Sequence, residues 1–328
     1  MTPRTAAALA LALLAGPALA GDPLVEAMPL DPNAPLTLGI GKPNGDKLAR
    51  KAKADLEPYL SRVLKRPVKV EILPDYDALS AALADGKVDI AWITPLAFVH
   101  AAQRRADVAA IAKALRGGKL FYRAAFVVRS DSPVRSLADL AGKKVAYVSK
   151  SSSSGYLFPR AVLSSQGKDP DRFFREAIFT GDHPGVCQAV RTQKAEVGAT
   201  FSDEPVKGKK PQVDGCADSP PMGDFRIVAA SGPIPNDVIG ARPEFDDRLV
   251  TPVLGAFGGM ARTEEGRRIL KDVFHADAWG VAVDGDFKAI YEVMGVKSAP
   301  KVPVLPAVDE PPPPPPPKKK AKAKKKAR

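Results

Sequence analysis

The chain has 328 residues, 45% of them hydrophobic and 6% aromatic, with two cysteines and a formal net charge of +12. The charge sits largely at one end: Lys318 to Arg328 carries +8, and with Arg4 assigned to a leader the rest of the chain carries +3. That balance, with no zinc-finger or aromatic-interleaved basic motif, excludes a nucleic-acid-binding body, and no apolar run beyond the leader approaches the ~18 residues of a membrane span.

The opening "MTPRTAAALALALLAGPALA" has one positive charge, a short apolar stretch and an Ala-Leu-Ala end, the pattern of a secretory signal peptide cleaved after Ala20. No Cys follows to carry a lipid, and the single Arg4 is not a twin-Arg signal, so export in an unfolded state to the periplasm is expected. Roughly 280 residues then remain before the tail, enough for two ordinary domains. Cys187 and Cys216 face an oxidising compartment and read either as a disulfide or as two buried thiols.

Residues 21–35 are Pro- and Asp-rich and read as irregular. "LTLGIG" from Leu36 is a buried-strand run. Over 46–66, apolar Leu48, Ala52, Leu56, Tyr59, Leu60, Val63 and Leu64 recur at helical spacing. A strand over 68–73, a helix from Tyr76 to Gly86, a strand over 88–93 and a helix from Pro95 follow, with Pro95 in its first turn. Strands are expected over 108–114 and 122–131. The pattern repeats with a short helix at 136–142, a strand over 143–149, a helix over 154–167, a strand over 176–181, a helix from His183 to Lys194, and strands over 196–202 and 225–233. Helices over 246–258, 263–274 and 284–295 close the body. Alternating strands and helices mean an α/β architecture with mostly parallel sheets. Pro311–Pro317 and the Lys/Ala run beyond it read as a stiff spacer with a disordered cationic end, which offers a contact to anionic envelope surfaces.

Three chemistries fail on their spacing. "GIGKPNG", with Gly39, Gly41 and Gly45, is one residue too long for a dinucleotide turn and contains Pro43. Ser153, His183 and Asp203 have the residue types of a hydrolytic triad, but there is no G-x-S-x-G elbow. His100, His183 and His275 are scattered and the cysteines form no C-x-x-C pair, so neither a metal nor any other cofactor is expected. What remains is "SSSSG", Ser151 to Gly155, where a strand gives way to a helix. A helix start presents unpaired N–H groups and partial positive charge, and the hydroxyls add directional donors. The run reads either as a helix cap or as an anion site. His183, between a strand and a helix, reads either as a solvated or capping residue or as a donor to an oxyanion.

"VDIAWITPLAFVHA", "YRAAFVVRSDSPVRSLADLAGKKVAYV", "SSSSGYLFPRAVL", "GDHPGVCQAVRTQKAEVGA" and "SGPIPNDVI" occur in this order. Together they resemble the periplasmic substrate-binding proteins of phosphonate, phosphite and phosphate ABC importers, over about Leu36 to Val296. The resemblance implies the type II periplasmic binding protein fold: two α/β lobes joined by two crossover strands, with ligand in the cleft. Lobe 1 would comprise 36–128 and 238–298, lobe 2 would comprise 129–237, and 299–328 would be spacer and tail. The crossovers would be Ala124–Ser130 and Ile227–Pro235. It further implies a monomeric, non-enzymatic receptor that captures a small phosphorus oxyanion and passes it to an inner-membrane ABC permease. The alternative is an orphan or sensory binding protein of the same fold.

By the same resemblance, Ser152, Ser153, Ser154 and Gly155 hold the oxyanion, Gly155 by letting the backbone approach closely, and His183 donates to it. Tyr76 and Tyr122 are aromatic cleft residues of lobe 1, Thr94 lies on a loop near the cleft, and Trp92 packs. Asp203 and Asp237 match carboxylates that meet a ligand amine. Two carboxylates beside an anion favour a protonated oxyanion or an aminophosphonate and disfavour sulfate. Phe201 would crowd one side, and the stretch from Lys207 to Asp224 is longer than the pattern.

Overall fold

The computed structural model describes residue 31 and residues 33–42, 46–203, 213–217 and 224–295. The leader, Gly45, the remainder of the stretch after Asp203 and the Pro/Lys tail lie outside them.

The first half builds two β-α-β units. Strand β1 (Leu36–Ile40) is followed by α1 (Asp46–Leu64), β2 (Val68–Ile72), α2 (Tyr76–Ala84), β3 (Ile90–Ile93), α3 (Pro95–Arg104) and β4 (Ala109–Leu115). In α1 the expected apolar stripe buries Ala49, Ala52, Leu56, Tyr59 and Leu60. Pro58 lies on the exposed side of α1, and the helix continues through it. Then come β5 (Phe121–Arg129), β6 (Lys144–Tyr147), α4 (Phe158–Ser165), β7 (Glu176–Phe179), α5 (His183–Arg191), β8 (Val197–Asp203) and β9 (Phe225–Pro235). The chain returns through β10 (Val238–Ala241), α6 (Asp247–Gly258), α7 (Glu264–Ile269), β11 (Ala278–Val281) and α8 (Lys288–Met294).

These strands form two sheets, ordered β11-β4-β10-β3-β1-β2 and β7-β6-β8-β5-β9, in a two-lobed α/β arrangement. The expectation of mostly parallel pairing holds only within the β-α-β units. Parallel pairs join β1 to β2 and β3, and β6 to β7 and β8. β10, β11, β5 and β9 pair antiparallel. Connectivity accounts for β5, β9 and β10, which flank the two places where the chain moves directly from one sheet to the other without a helical crossover, while β11 joins the edge of the first sheet after α7. β10 and β11 are absent from the sequence-based expectation because four-residue runs with an internal glycine show too little periodicity.

The stretches expected as crossovers lie within β5 and β9, which pair with each other. All of β5 belongs to the second sheet, so the chain changes sheets at 116–120 and again at 236–237; the first change comes ahead of the lobe boundary expected at residue 128. Fully buried Asn236 laces the two passages together. Its Nδ2 donates to the carbonyls of Ala114 and Lys119, both at 3.0 Å, and its Oδ1 accepts from Arg116 at 3.2 Å.

One face of the first sheet packs Leu38, Ile40, Trp92 and Ile239 against α1 and α6. The other packs Ala91 and Val238 against Leu79, Leu83 and Phe98 of α2 and α3, and this core runs on into Val148, Phe158 and Val186 of the second lobe. In the second sheet β5 shows its two-residue period directly: Phe126 and Val128 face α4, while Ala125 and Val127 face α5. On that second face Cys187 and Cys216 form a disulfide with Cα atoms 5.7 Å apart, which decides the open reading of the cysteines.

The C-terminal elements are tied down by a buried pair. Lys113 Nζ lies 2.6 Å from Asp286 Oδ1, with side chains 10% and 8% exposed, and Asp286 Oδ2 accepts the Val283 N–H at 2.7 Å. Lys113→Met should lower stability by roughly 3–5 kcal/mol, because it strands a buried charge. Adding Asp286→Asn should recover most of that loss, since the amide oxygen still accepts from Val283. Urea unfolding of the single and double variants checks this.

Candidate functional site

A small cavity opens where the two sheets face each other, lined by Tyr76, Trp92 and Thr94, by Arg116 and Asp237 at the two passages between sheets, and by Tyr122, Ser152, Ser153, Ser154, His183 and Phe201. Its volume is ≈ 30 Å³.

The serine run divides its labour. Ser152 is the cap: it has extended backbone and its Oγ accepts the Gly155 N–H at 3.0 Å. Ser151 donates to the Asp77 carboxylate of α2, across the cleft. Ser153 accepts the Leu96 N–H, from the first turn of α3, at 3.1 Å. Ser154 and Ser153 hydrogen-bond the Tyr122 phenol. Residues Ser153–Leu157 form a wide π-helical turn before α4, where the sequence pattern predicts one continuous α-helix. Pro159 has no N–H to continue an upstream ladder and fits only the first turn of α4. Gly155 does not line the cavity. A Cβ there would lie 2.4 Å from Val148 Cγ2 and 2.8 Å from Ser152 Oγ, so a glycine lets the turn pack on Val148 and accept its cap.

Two more helices begin at the cavity. Thr94 is the N-cap of α3, yet its hydroxyl makes no cap bond. Its Oγ1 is buried and without a hydrogen-bond partner in the protein, an orphaned donor at the cavity wall. His183 opens α5, capped by Asp182, which accepts the Gly185 N–H at 2.7 Å. His183 is therefore neither the cap nor solvated. It is 5% exposed, its Nδ1 is 2.8 Å from Thr200 Oγ1, and Phe201 meets its ring edge-on at 4.9 Å. Burial, and then the charge of Arg116, push its pKa down to about 3. Burial, and then the Asp237 carboxylate, raise Tyr76 and Tyr122 above the usual phenol range. At neutral pH these three groups are uncharged hydrogen-bonding groups.

Arg116 is the residue the sequence analysis omits. Its Nη2 lies 2.8 Å from Asp237 Oδ2 and 3.2 Å from the Phe274 carbonyl. Asp237 lines the cavity as expected, but paired with a guanidinium. A signal for Arg116 exists in "LRGGKLFY": Gly117 and Gly118 have φ of +57° and +69°, and Arg116 and Lys119 exchange backbone hydrogen bonds of 2.9 and 2.8 Å. A Gly-Gly turn between two apolar runs marks such a hairpin. It sets the flanking residue at the carboxyl end of β4, the end at which α/β sheets hold ligands. Asp203 stands opposite Tyr122 in the β5–β8 register, and its side chain lies outside the described residues. Trp92 packs edge-on against Phe274 at 4.7 Å, as expected, while also lining the cavity. Among the described residues no group of His, Cys, Asp or Glu could hold a metal ion.

The disulfide stands behind this wall. Cys187 is on α5, one turn beyond His183, and its partner Cys216 follows Gly215, whose added Cβ would lie 2.1 Å from Thr200 Oγ1 and 2.9 Å from Phe201. Gly215→Ala should therefore displace the hydroxyl that holds His183. We expect it to cost about 1–3 kcal/mol of stability and to weaken ligand binding, measured by urea unfolding and calorimetry.

A second expectation concerns pH. An unfolded His titrates near 6.5 and folded His183 near 3, so the unfolded chain binds the proton more readily. The stability contributed by neutral His183 is complete above about pH 6.5 and is lost as pH falls toward 3. At pH 5 the loss relative to pH 7 should be about 2 kcal/mol, and His183→Asn should flatten that part of the stability–pH curve in urea titrations.

Comparison with known proteins agrees with this geometry. The family model of the ABC transporter phosphonate periplasmic substrate-binding protein matches residues 46–287. The phosphate-import protein PhnD of Mycolicibacterium smegmatis is 27% identical over 268 residues, 76% of this chain and 82% of that protein. Two solved structures share the fold. One is a binding-protein component of an ABC phosphonate transporter from Pseudomonas aeruginosa (TM-score 0.69, 20% identity, 80% of this chain and 86% of that one). The other is a Prochlorococcus marinus protein in complex with methylphosphonate (TM-score 0.69, 19% identity, 80% of this chain and 97% of that one). The chain belongs to the family of periplasmic substrate-binding proteins of phosphonate ABC transporters, and is a binding component rather than an enzyme.

Proposed function

We propose that the chain is exported, loses residues 1–20, and acts as a monomeric receptor that captures a small phosphorus oxyanion and delivers it to an ABC permease in the inner membrane. The observation that carries the reading is the convergence of three helix starts on one cavity, each with a polar side chain lining it: Thr94 at α3, Ser153 at the turn into α4, and His183 at α5. Helix N-termini attract anions through their unpaired N–H groups and partial positive charge. The Thr94 hydroxyl, partnerless in the protein, gains an acceptor when an oxyanion enters. In the tautomer whose Nδ1 accepts from the Thr200 hydroxyl, Nε2 of His183 carries the proton and is free to donate a hydrogen bond to the ligand. Phenols held neutral at Tyr76 and Tyr122 complete a set of donors from both lobes. The cavity volume of ≈ 30 Å³ is room for about two waters, the scale of a compact tetrahedral anion. The family match and the methylphosphonate complex of the Prochlorococcus marinus protein favour phosphorus over other oxyanions.

Calorimetry with phosphate, phosphite, methylphosphonate, 2-aminoethylphosphonate and sulfate tests the capture step; failure of every phosphorus compound to bind would retire it. Delivery is tested by uptake of the bound oxyanion in cells lacking the protein, which should be lost. The division of labour in the serine run yields a sharper expectation. Ser153→Ala and His183→Ala should each weaken the bound oxyanion by roughly 10- to 150-fold, the value of a hydrogen bond to a charged group. Ser152→Ala should instead cost about 1 kcal/mol of stability, read from urea unfolding, with a smaller effect on affinity.

A further inference from the structure

We propose that Arg116 sets the ligand specificity of the cleft: its guanidinium engages the Asp237 carboxylate and leaves a site for a compact oxyanion that carries no ammonium group. The inference rests on the phosphorus-oxyanion reading above and narrows its substrate class.

The two side chains lie at the passages between the sheets, Arg116 at the end of β4 and Asp237 between β9 and β10, and both line the cavity. They are held 2.8 Å apart, with side chains only 11% and 14% exposed. Asn236 Oδ1 and the Phe274 carbonyl hold the same guanidinium at 3.2 Å, so its position is built and not adventitious. A carboxylate left alone at this place would attract an ammonium group and repel a dianion. A carboxylate already paired with a guanidinium does neither, and the net charge of the pair is zero. The remaining cavity groups are neutral donors and helix starts, which suit an anion. An ammonium-bearing ligand would find its counter-charge occupied and a fixed positive charge beside it. The charge of Arg116 reaches His183, whose protonation it opposes, while at Tyr76 and Tyr122 the opposing effect of the Asp237 carboxylate is the larger. Geometry adds to the exclusion. Phe201 stands edge-on to both Tyr122 and His183, at 6.0 and 4.9 Å, and Trp92 forms another part of the wall, so a two-carbon amine arm meets packed aromatic rings.

The experiment is calorimetry of the full chain and of Arg116→Gln, Arg116→Lys and Asp237→Asn with phosphate, methylphosphonate and 2-aminoethylphosphonate, with thermal unfolding of each variant alongside. The wild-type protein should prefer methylphosphonate to 2-aminoethylphosphonate by at least about tenfold. Arg116→Gln should weaken phosphate by roughly 10- to 150-fold. It should also shift the methylphosphonate-to-2-aminoethylphosphonate ratio toward the amine by about tenfold or more, because Asp237 is then unpaired. Asp237→Asn, which removes the carboxylate that an ammonium group would seek, should not shift that ratio toward the amine. A purely structural Arg116 would weaken all ligands alike and leave the ratio unchanged, which overturns the proposal, as does wild-type protein that binds 2-aminoethylphosphonate as tightly as methylphosphonate. If Arg116→Gln does not fold, Arg116→Lys and the wild-type ratio still decide. Wild-type protein that binds none of the three would retire the phosphorus-oxyanion reading itself, a result distinct from binding with the wrong preference.

Discussion

The Arg116–Asp237 pair, with Asn236 beside it, is the constraint on which the two-lobed architecture and its cleft both depend. Among the described residues the chain passes between the sheets at 116–120 and 236–237. Leaving a sheet exposes backbone N–H and C=O groups that no ladder satisfies, and buried groups of that kind must find partners. Asn236 takes up the carbonyls of Ala114 and Lys119, Ala114 N–H donates to the Asp237 carbonyl at 2.9 Å, and the guanidinium of Arg116 gathers the side chains of Asn236 and Asp237. The same atoms that satisfy the crossing thus set a charged pair in the cavity wall. The proposed recognition would therefore use the side chains that also hold the passage.

The serine run shows the same economy on a smaller scale. A capping residue and an anion-binding residue look alike in sequence, because each places a hydroxyl at a helix start, the first to accept a backbone N–H and the second to donate to the anion. Here they are neighbours with separate partners. Ser152 closes its own turn on the Gly155 N–H, while Ser153 reaches the first turn of α3 in the other lobe and Ser151 reaches Asp77. Two hydrogen bonds across the cleft, together with a core continuous from Phe98 to Phe158, join the lobes around the cavity. A ligand oxyanion would enter a network in which both lobes already share donors, and lobe closure is the conformational event such receptors use to signal occupancy.

The wall opposite is rigid for a different reason. His183 is held neutral by burial and by the positive charge nearby. Orientation follows from Thr200, and Thr200 is held in turn by the close approach of Gly215. The Cys187–Cys216 bond ties that segment to the helix His183 begins. The disulfide therefore stabilises more than the fold: it fixes the chain of contacts that aims the imidazole.

Much of this was legible before any coordinates. Local periodicity identifies strands and helices wherever runs exceed about five residues, as in β5 or α1, because the pattern of burial is written in neighbouring side chains. Helix starts at Ser152, His183 and Pro95 are legible for the same local reason, and the resemblance supplied the ligand class and the fold. By itself the sequence determined which segments are α/β, where helices begin and which hydroxyls stand there. Tertiary structure alone decided that β5 belongs wholly to the second sheet, that β10 and β11 insert antiparallel, that Gly155 packs on Val148 while Ser152 caps its N–H, and that Arg116 reaches Asp237 across 121 positions of sequence. These are non-local facts. Whether a carboxylate is free or paired depends on which side chain the folded chain brings within hydrogen-bonding distance, and no window of neighbouring residues contains that information.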